Sequence, residues 1–201
     1  MNGKELTITV SSNLPRSGQV EIRVSGEAVP FTIALRIPDW CGEENGGFRV
    51  KGVKDSECTK KDGYLYVTKC WKTGECISLE LAMDVKIMQA DPMVREDIGK
   101  VAVARGPMVY CLEEADNGPD LHLLTVDCSK EAETEDFTAA GEQVVSVVMD
   151  GFRQQVQPSQ AGLYQPLKAA VKEPVKLHFI PYYVWANRGE NEMAVWVRQE
   201  K

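Results

Sequence analysis

Period-two alternation of apolar and polar residues runs through the first half of this chain and restricts it to β structure. Leu6, Ile8 and Val10 alternate with Thr7 and Thr9; Val20, Ile22 and Val24 alternate with Glu21 and Arg23; Phe31, Ile33, Leu35 and Ile37 form a third set. Successive side chains of a strand point to opposite faces, so each set predicts a strand with one face turned inward. Pro38 ends the third ladder by removing a backbone donor, and Trp40 is placed to close one end of the core. A glycine-rich turn at Gly42–Gly47 follows. Beyond it come Phe48 and Val50, the run Tyr64–Val67 behind the hairpin dipeptide Asp62-Gly63, and Ile77, Leu79 and Leu81 alternating with Ser78 and Glu80. No window here repeats at helical spacing. Seven or eight short strands in the first ~90 residues is the content of a sandwich whose two inner faces share one core.

A boundary reads at Gln89-Ala90-Asp91-Pro92, because proline holds the preceding residue extended and charged residues follow at Arg95–Asp97. The expectation is therefore all-β: two consecutive antiparallel sandwich domains, residues 1–90 and 91–201. In the second, Val101–Ala104 and Met108–Leu112 read as strands split by Arg105-Gly106-Pro107, and their continuous apolar character predicts burial on both faces, where two sandwiches meet. Further strands are expected over Leu121–Val126, Val144–Met149, Val175–Phe179 and Met193–Val197. The acid-rich Ser129–Asp136 reads as solvated, and Gly151–Pro166 as a loop.

The chain has 201 residues, 43% of them hydrophobic and 26% charged, enough apolar surface for a folded core. A net charge of −7, with Lys and Arg scattered, disfavours nucleic acid and anionic lipid as partners. No apolar run approaches the ~20 residues that cross a bilayer, and no secretory signal precedes the first strand pattern. Six cysteines, Cys41, Cys58, Cys70, Cys76, Cys111 and Cys128, are read as reduced thiols, which favours a cytoplasmic setting. Cys70 and Cys76 are too widely spaced for the close ligand pair of structural zinc, and His122 and His178 supply no second pair. No metal site and no cofactor is expected in this chain.

Nor does a catalytic constellation stand out. Acid/base catalysis needs two groups converging on one substrate, and Glu113 and Glu114, merely adjacent, read as structural or surface carboxylates. Arg105, Gly106 and Pro107 read as a structural corner that is also a candidate domain interface. Tyr182, Tyr183 and Trp185 are the candidate carbohydrate contacts, since rings stack on apolar sugar faces; with Trp196 they also suit core packing.

Three ordered motifs carry a family likeness: Leu35–Trp40 (LRIPDW), Asp91–Asn117 with its core GKVAVARGPMVYCLE, and Ile180–Arg188 (IPYYVWANR) followed by Met193–Trp196. Together they resemble the C-terminal region of the beta-L-arabinofuranosidase family of glycoside hydrolases, over nearly the whole chain. The resemblance implies that chemistry belongs to a large N-terminal helical barrel, with a zinc-held cysteine nucleophile and a glutamate acid/base, and that this chain corresponds to two β-sandwich domains following it. It thus implies a noncatalytic accessory region, with a helical catalytic domain as partner, zinc only in that domain, and arabinose-containing carbohydrate met through the parent enzyme. The upstream coding sequence is expected to hold that domain, continuous with Met1. A carbohydrate-binding sandwich module is the alternative.

Overall fold

A computed structural model describes residues 5–41, 47–156 and 163–200. The chain divides into two compact units, Met1–Asp84 and Val85–Lys201. Both are built almost wholly of strands. The division falls before the boundary read at Gln89–Pro92, because Val85–Met88 is itself a strand paired with the second unit through Val85↔Arg105 to Met88↔Ala102.

The first unit contains β1 (Leu6–Ser12), β2 (Gln19–Gly26), β3 (Val29–Arg36), β4 (Phe48–Lys51), β5 (Cys58–Lys61), β6 (Tyr64–Trp71) and β7 (Cys76–Leu81). They form a four-stranded sheet ordered β1-β2-β7-β4 and a three-stranded sheet ordered β3-β6-β5. Ile22, Val24, Ile77, Leu79 and Leu81 of the first meet Leu35, Leu65, Val67 and Trp71 of the second in one core. The buried Trp71 ring lies 5.6 Å from Phe31 and its indole N–H donates to the Phe31 carbonyl, so the largest core side chain leaves no polar atom stranded. Asp62 (φ 50°) and Gly63 (φ 76°) form the two-residue turn from Lys61 to Tyr64 that the sequence announces. Of the turn at Gly42–Gly47, only Gly47 lies within the described residues. One expectation fails: of the apolar set on β1, Ile8 and Val10 remain 46% and 61% exposed. Alternation sets the face, and the facing sheet, one strand narrower, does not cover this edge strand.

The second unit contains β8 (Val85–Met88), β9 (Lys100–Arg105), β10 (Met108–Glu113), the four-residue helix α1 (Glu114–Asn117), β11 (Leu124–Val126), β12 (Glu133–Ala139), β13 (Glu142–Gln154), β14 (Lys172–Pro181), β15 (Met193–Ala194) and β16 (Val197–Gln199). Pairing runs β9-β10-β14-β13-β11-β16 and back to β9, a closed circuit that leaves these strands few open edges. All these pairs are antiparallel except β11–β16, where Thr125 faces Arg198 in a parallel ladder. Val101, Val103, Tyr110, Leu112, Leu124, Met149, Leu177 and Phe179 fill the main core. The expected burial of β10 on both faces arises inside this unit: Cys111, on its other face, joins a second cluster with Ala139, Val144, Ile180 and Val184.

Several irregular stretches were harder to read. Glu133–Ala139 is not merely solvated; it pairs with β13 over seven positions while keeping its acidic side chains outward. Leu121–Leu123 is a 3-10 turn, so the strand expected over Leu121–Val126 begins only at Leu124. Met193–Val197 breaks into β15 and β16. Gly151–Gln154, read as loop, continues β13; Gly151 is required there because any Cβ would collide with the Thr125 carbonyl oxygen of β11. Residues 157–162 of that expected loop lie outside the described residues.

Candidate functional site: an ionic network behind an aromatic turn

β10 delivers its last residue, Glu113, into full burial (0% exposed), an expensive place for a carboxylate unless it is paired. It is paired on both oxygens. Oε2 accepts from both Nε and Nη2 of Arg188, while Oε1 accepts from the Asn191 amide at 3.0 Å and more weakly from the Ala186 N–H at 3.4 Å. Arg188 also donates to both oxygens of Asp116 on α1, at 2.8 and 2.5 Å, and its guanidinium stands 5.8 Å from the centre of the Phe137 ring. The fork of Arg188 thus joins two carboxylates from consecutive elements to a loop some 70 residues further along the chain. The hydrogen bonds it donates to Asp116 and then to Glu113 raise the Arg188 pKa above its ordinary value, so it stays charged.

Backbone bonds complete the clasp. The Asn117 amide donates to the carbonyls of Glu113 and His178, and its oxygen accepts from the His178 N–H, fastening α1 to β14. The Glu114 N–H donates to the Glu192 carbonyl, and the Glu114 carboxylate accepts from the Glu192 N–H. Beneath the network lies the Cys111 thiol, which burial, with Glu113 adding, pushes up to about 12. Burial thus favours its protonated form, and it packs as a core group.

The loop held this way carries the aromatic candidates. A 3-10 turn at Tyr182–Val184 turns Val184 into the core and leaves Tyr182 and Tyr183 45% and 52% exposed. Trp185 is partly buried; its ring lies 6.0 Å from that of Tyr182, tilted by 35°. The Trp185 indole nitrogen and Asn191 Oδ1 are buried without a hydrogen-bond partner. Trp196 is partly buried in the link between β15 and β16.

The other sequence candidates lie on the β9–β10 hairpin. Arg105 pairs with Met108, leaving Gly106 (φ 55°) and Pro107 as a two-residue turn, with glycine where a left-handed φ is needed. The Arg105 guanidinium lies near the Tyr110 hydroxyl, which donates to the Val145 carbonyl at 2.9 Å. Burial raises the Tyr110 pKa, and Arg105 opposes that rise. Two separate groups of candidates therefore occur: a hairpin corner around Arg105, and an aromatic turn clasped by Arg188.

Sequence reasoning missed Glu113, Asp116, Arg188 and Asn191 as a unit. The one local sign was a glutamate closing the continuously apolar run Val109–Leu112; its cation lies 75 residues away and has no signature in spacing. Among the described residues no three His, Cys, Asp or Glu side chains converge as metal ligands. All six cysteines are free thiols.

Comparison with known proteins places these observations. Residues 1–83 match the model of the beta-L-arabinofuranosidase GH127 middle domain, and residues 85–198 match the glycoside hydrolase family 127 C-terminal domain. A non-reducing end beta-L-arabinofuranosidase of Bifidobacterium longum subsp. longum is 36% identical over 204 residues, which are 96% of this chain and 30% of that protein. The crystal structure of a GH127 beta-L-arabinofuranosidase from Geobacillus stearothermophilus T6 superposes with a TM-score of 0.85 at 36% identity, over 100% of this chain and 31% of its own. A further GH127 beta-arabinofuranosidase structure gives 0.83 at 28% identity, over 100% and 32%. The chain spans under a third of the length of these relatives, and over that span it belongs to glycoside hydrolase family 127, as its middle and C-terminal domains.

Proposed function

We propose that this chain is a noncatalytic accessory region that supports the helical catalytic domain of a beta-L-arabinofuranosidase-type glycoside hydrolase. The observation that carries the reading is the extent of the match: middle and C-terminal domains only, 30% of a relative whose printed activity is that of an arabinofuranosidase. The state of Glu113 supports it, since a carboxylate with both oxygens engaged by Arg188 and Asn191 is neither a free general base nor a proton donor. In this reading zinc and the reacting groups belong to the catalytic domain, and arabinose-containing carbohydrate is met only through the parent enzyme. Arg105, Gly106 and Pro107 form a rigid corner suited to a domain contact.

Association tests this role. The purified chain is titrated into separately produced catalytic domain and followed by calorimetry; saturable binding weakened by Arg105→Ala is expected, and its complete absence counts against the supporting role. One observation favours a second reading, a carbohydrate-binding module: Tyr182 and Tyr183 are both about half exposed on a clasped turn. Arabino-oligosaccharide binding lost in Tyr182→Ala/Tyr183→Ala would establish that module in place of the accessory role.

A further inference from the structure

Among the described residues, the outer edge of β1 in the first unit is unpaired. β1 and β3 are terminal strands of their sheets. Register places Ile8 opposite Val24 and Val10 opposite Ile22, and both partners are core residues, so Ile8 and Val10 project from the core face of the sheet. They are nevertheless 46% and 61% exposed. Inner-facing Phe31 and Ile33 of β3 are only partly buried, as is Leu6. The outer edge of β1 also lacks the features that usually blunt an edge strand: Leu6–Ser12 reads LTITVSS, with no charge and no proline, and its seven-residue ladder to β2 is uninterrupted.

We propose that the free edge of β1 is a strand-docking site, occupied in the whole enzyme by an extended segment of the polypeptide that precedes this region. The segment pairs with Leu6–Ser12 through its backbone and lays alternate apolar side chains beside Ile8 and Val10, closing the mouth of the core. The inference rests on the reading of the chain as part of a longer enzyme. Two observations favour that source over another: the family model matching residues 1–83 is that of a middle domain, so sequence precedes it in the family, and β1 is the first strand of the chain, next to where that sequence would arrive.

Hydrogen–deuterium exchange on the 201-residue chain and on the longer enzyme containing it tests the site. The expected result is that β1 amides exchange about tenfold or more slowly in the longer enzyme, with β6 amides unchanged. Val10→Lys in the longer enzyme is expected to remove that protection, while in the 201-residue chain it leaves exchange as it was. Equal β1 exchange in the two proteins overturns the proposal. So does a concentration-dependent dimer of the short chain abolished by Val10→Lys, which would make a second copy the occupant, and so does a gene that opens at Met1. Turnover assayed on the same preparations keeps the accessory reading separate: hydrolysis by the short chain defeats that reading whatever β1 does.

Discussion

At Glu113 a carboxylate is buried by a strand that is otherwise apolar, and Arg188 makes this tolerable. Removing one partner of such a pair strands the other charge, so Arg188→Ala is expected to destabilise the second unit by about 3 kcal/mol, the low end for buried pairs because Arg188 is itself 20% exposed. Glu113→Gln/Arg188→Met, which removes both charges, is expected to recover much of that loss. Urea unfolding of the three proteins measures this, and a double variant as unstable as the single one would contradict it. Cys111 yields a pH effect whose sign is fixed. Its folded pKa, about 12, exceeds the ordinary 9.0, so the folded state holds the proton more firmly than the unfolded chain. That stabilisation is complete below pH 9 and is lost as pH rises toward 12, at up to ~1.4 kcal/mol per pH unit. Cys111→Ala is expected to flatten the alkaline fall in stability relative to the parent, and parallel curves would exclude the effect. None of this was legible from spacing, because a pair 75 residues apart in the chain meets only once the sheet has closed.

Among elements, the strands of the first unit were legible because each has one face inward, which writes period two into the sequence: Ile22 and Val24 in β2, Leu65 and Val67 in β6, Ile77, Leu79 and Leu81 in β7 are all core residues. The turn at Asp62-Gly63 was legible for a separate reason, its demand for two residues at positive φ. Where the reading failed, pairing rather than alternation made the element. β12 buries Ala139 at its end and part of Phe137 but leaves its first four residues exposed and exists mainly through its ladder to β13, and β11 and β16 are three residues each, held in the closed circuit by neighbours. β1 shows the reverse, a strong pattern whose cover the seven strands of its unit do not supply. A close approach specifies one residue outright. A Cβ at Gly18 would collide with the Leu81 carbonyl, whose own N–H donates to the Gly18 carbonyl at 2.9 Å. Gly18→Ala is expected to destabilise the first unit by ~2 kcal/mol and to speed amide exchange in β2 and β7 while leaving β13 and β14 unaffected. Wild-type exchange in β2 and β7 would show that the backbone yields without cost.

For the whole molecule, the all-β class and the family followed from pattern and motif, and GKVAVARGPMVYCLE turns out to span β9, the Arg105–Pro107 corner, β10 and the buried Glu113. That is why the motif reads without reactive groups: its residues build a hairpin and one half of an ionic clasp. The central proposal is that such a region supports catalysis performed by a domain outside these 201 residues. Turnover of a beta-L-arabinofuranoside by the purified 201-residue protein, with and without added zinc and beside the full-length enzyme, tests it most directly. The expected result is hydrolysis by the full-length enzyme alone; turnover that copurifies with the short chain would contradict the claim.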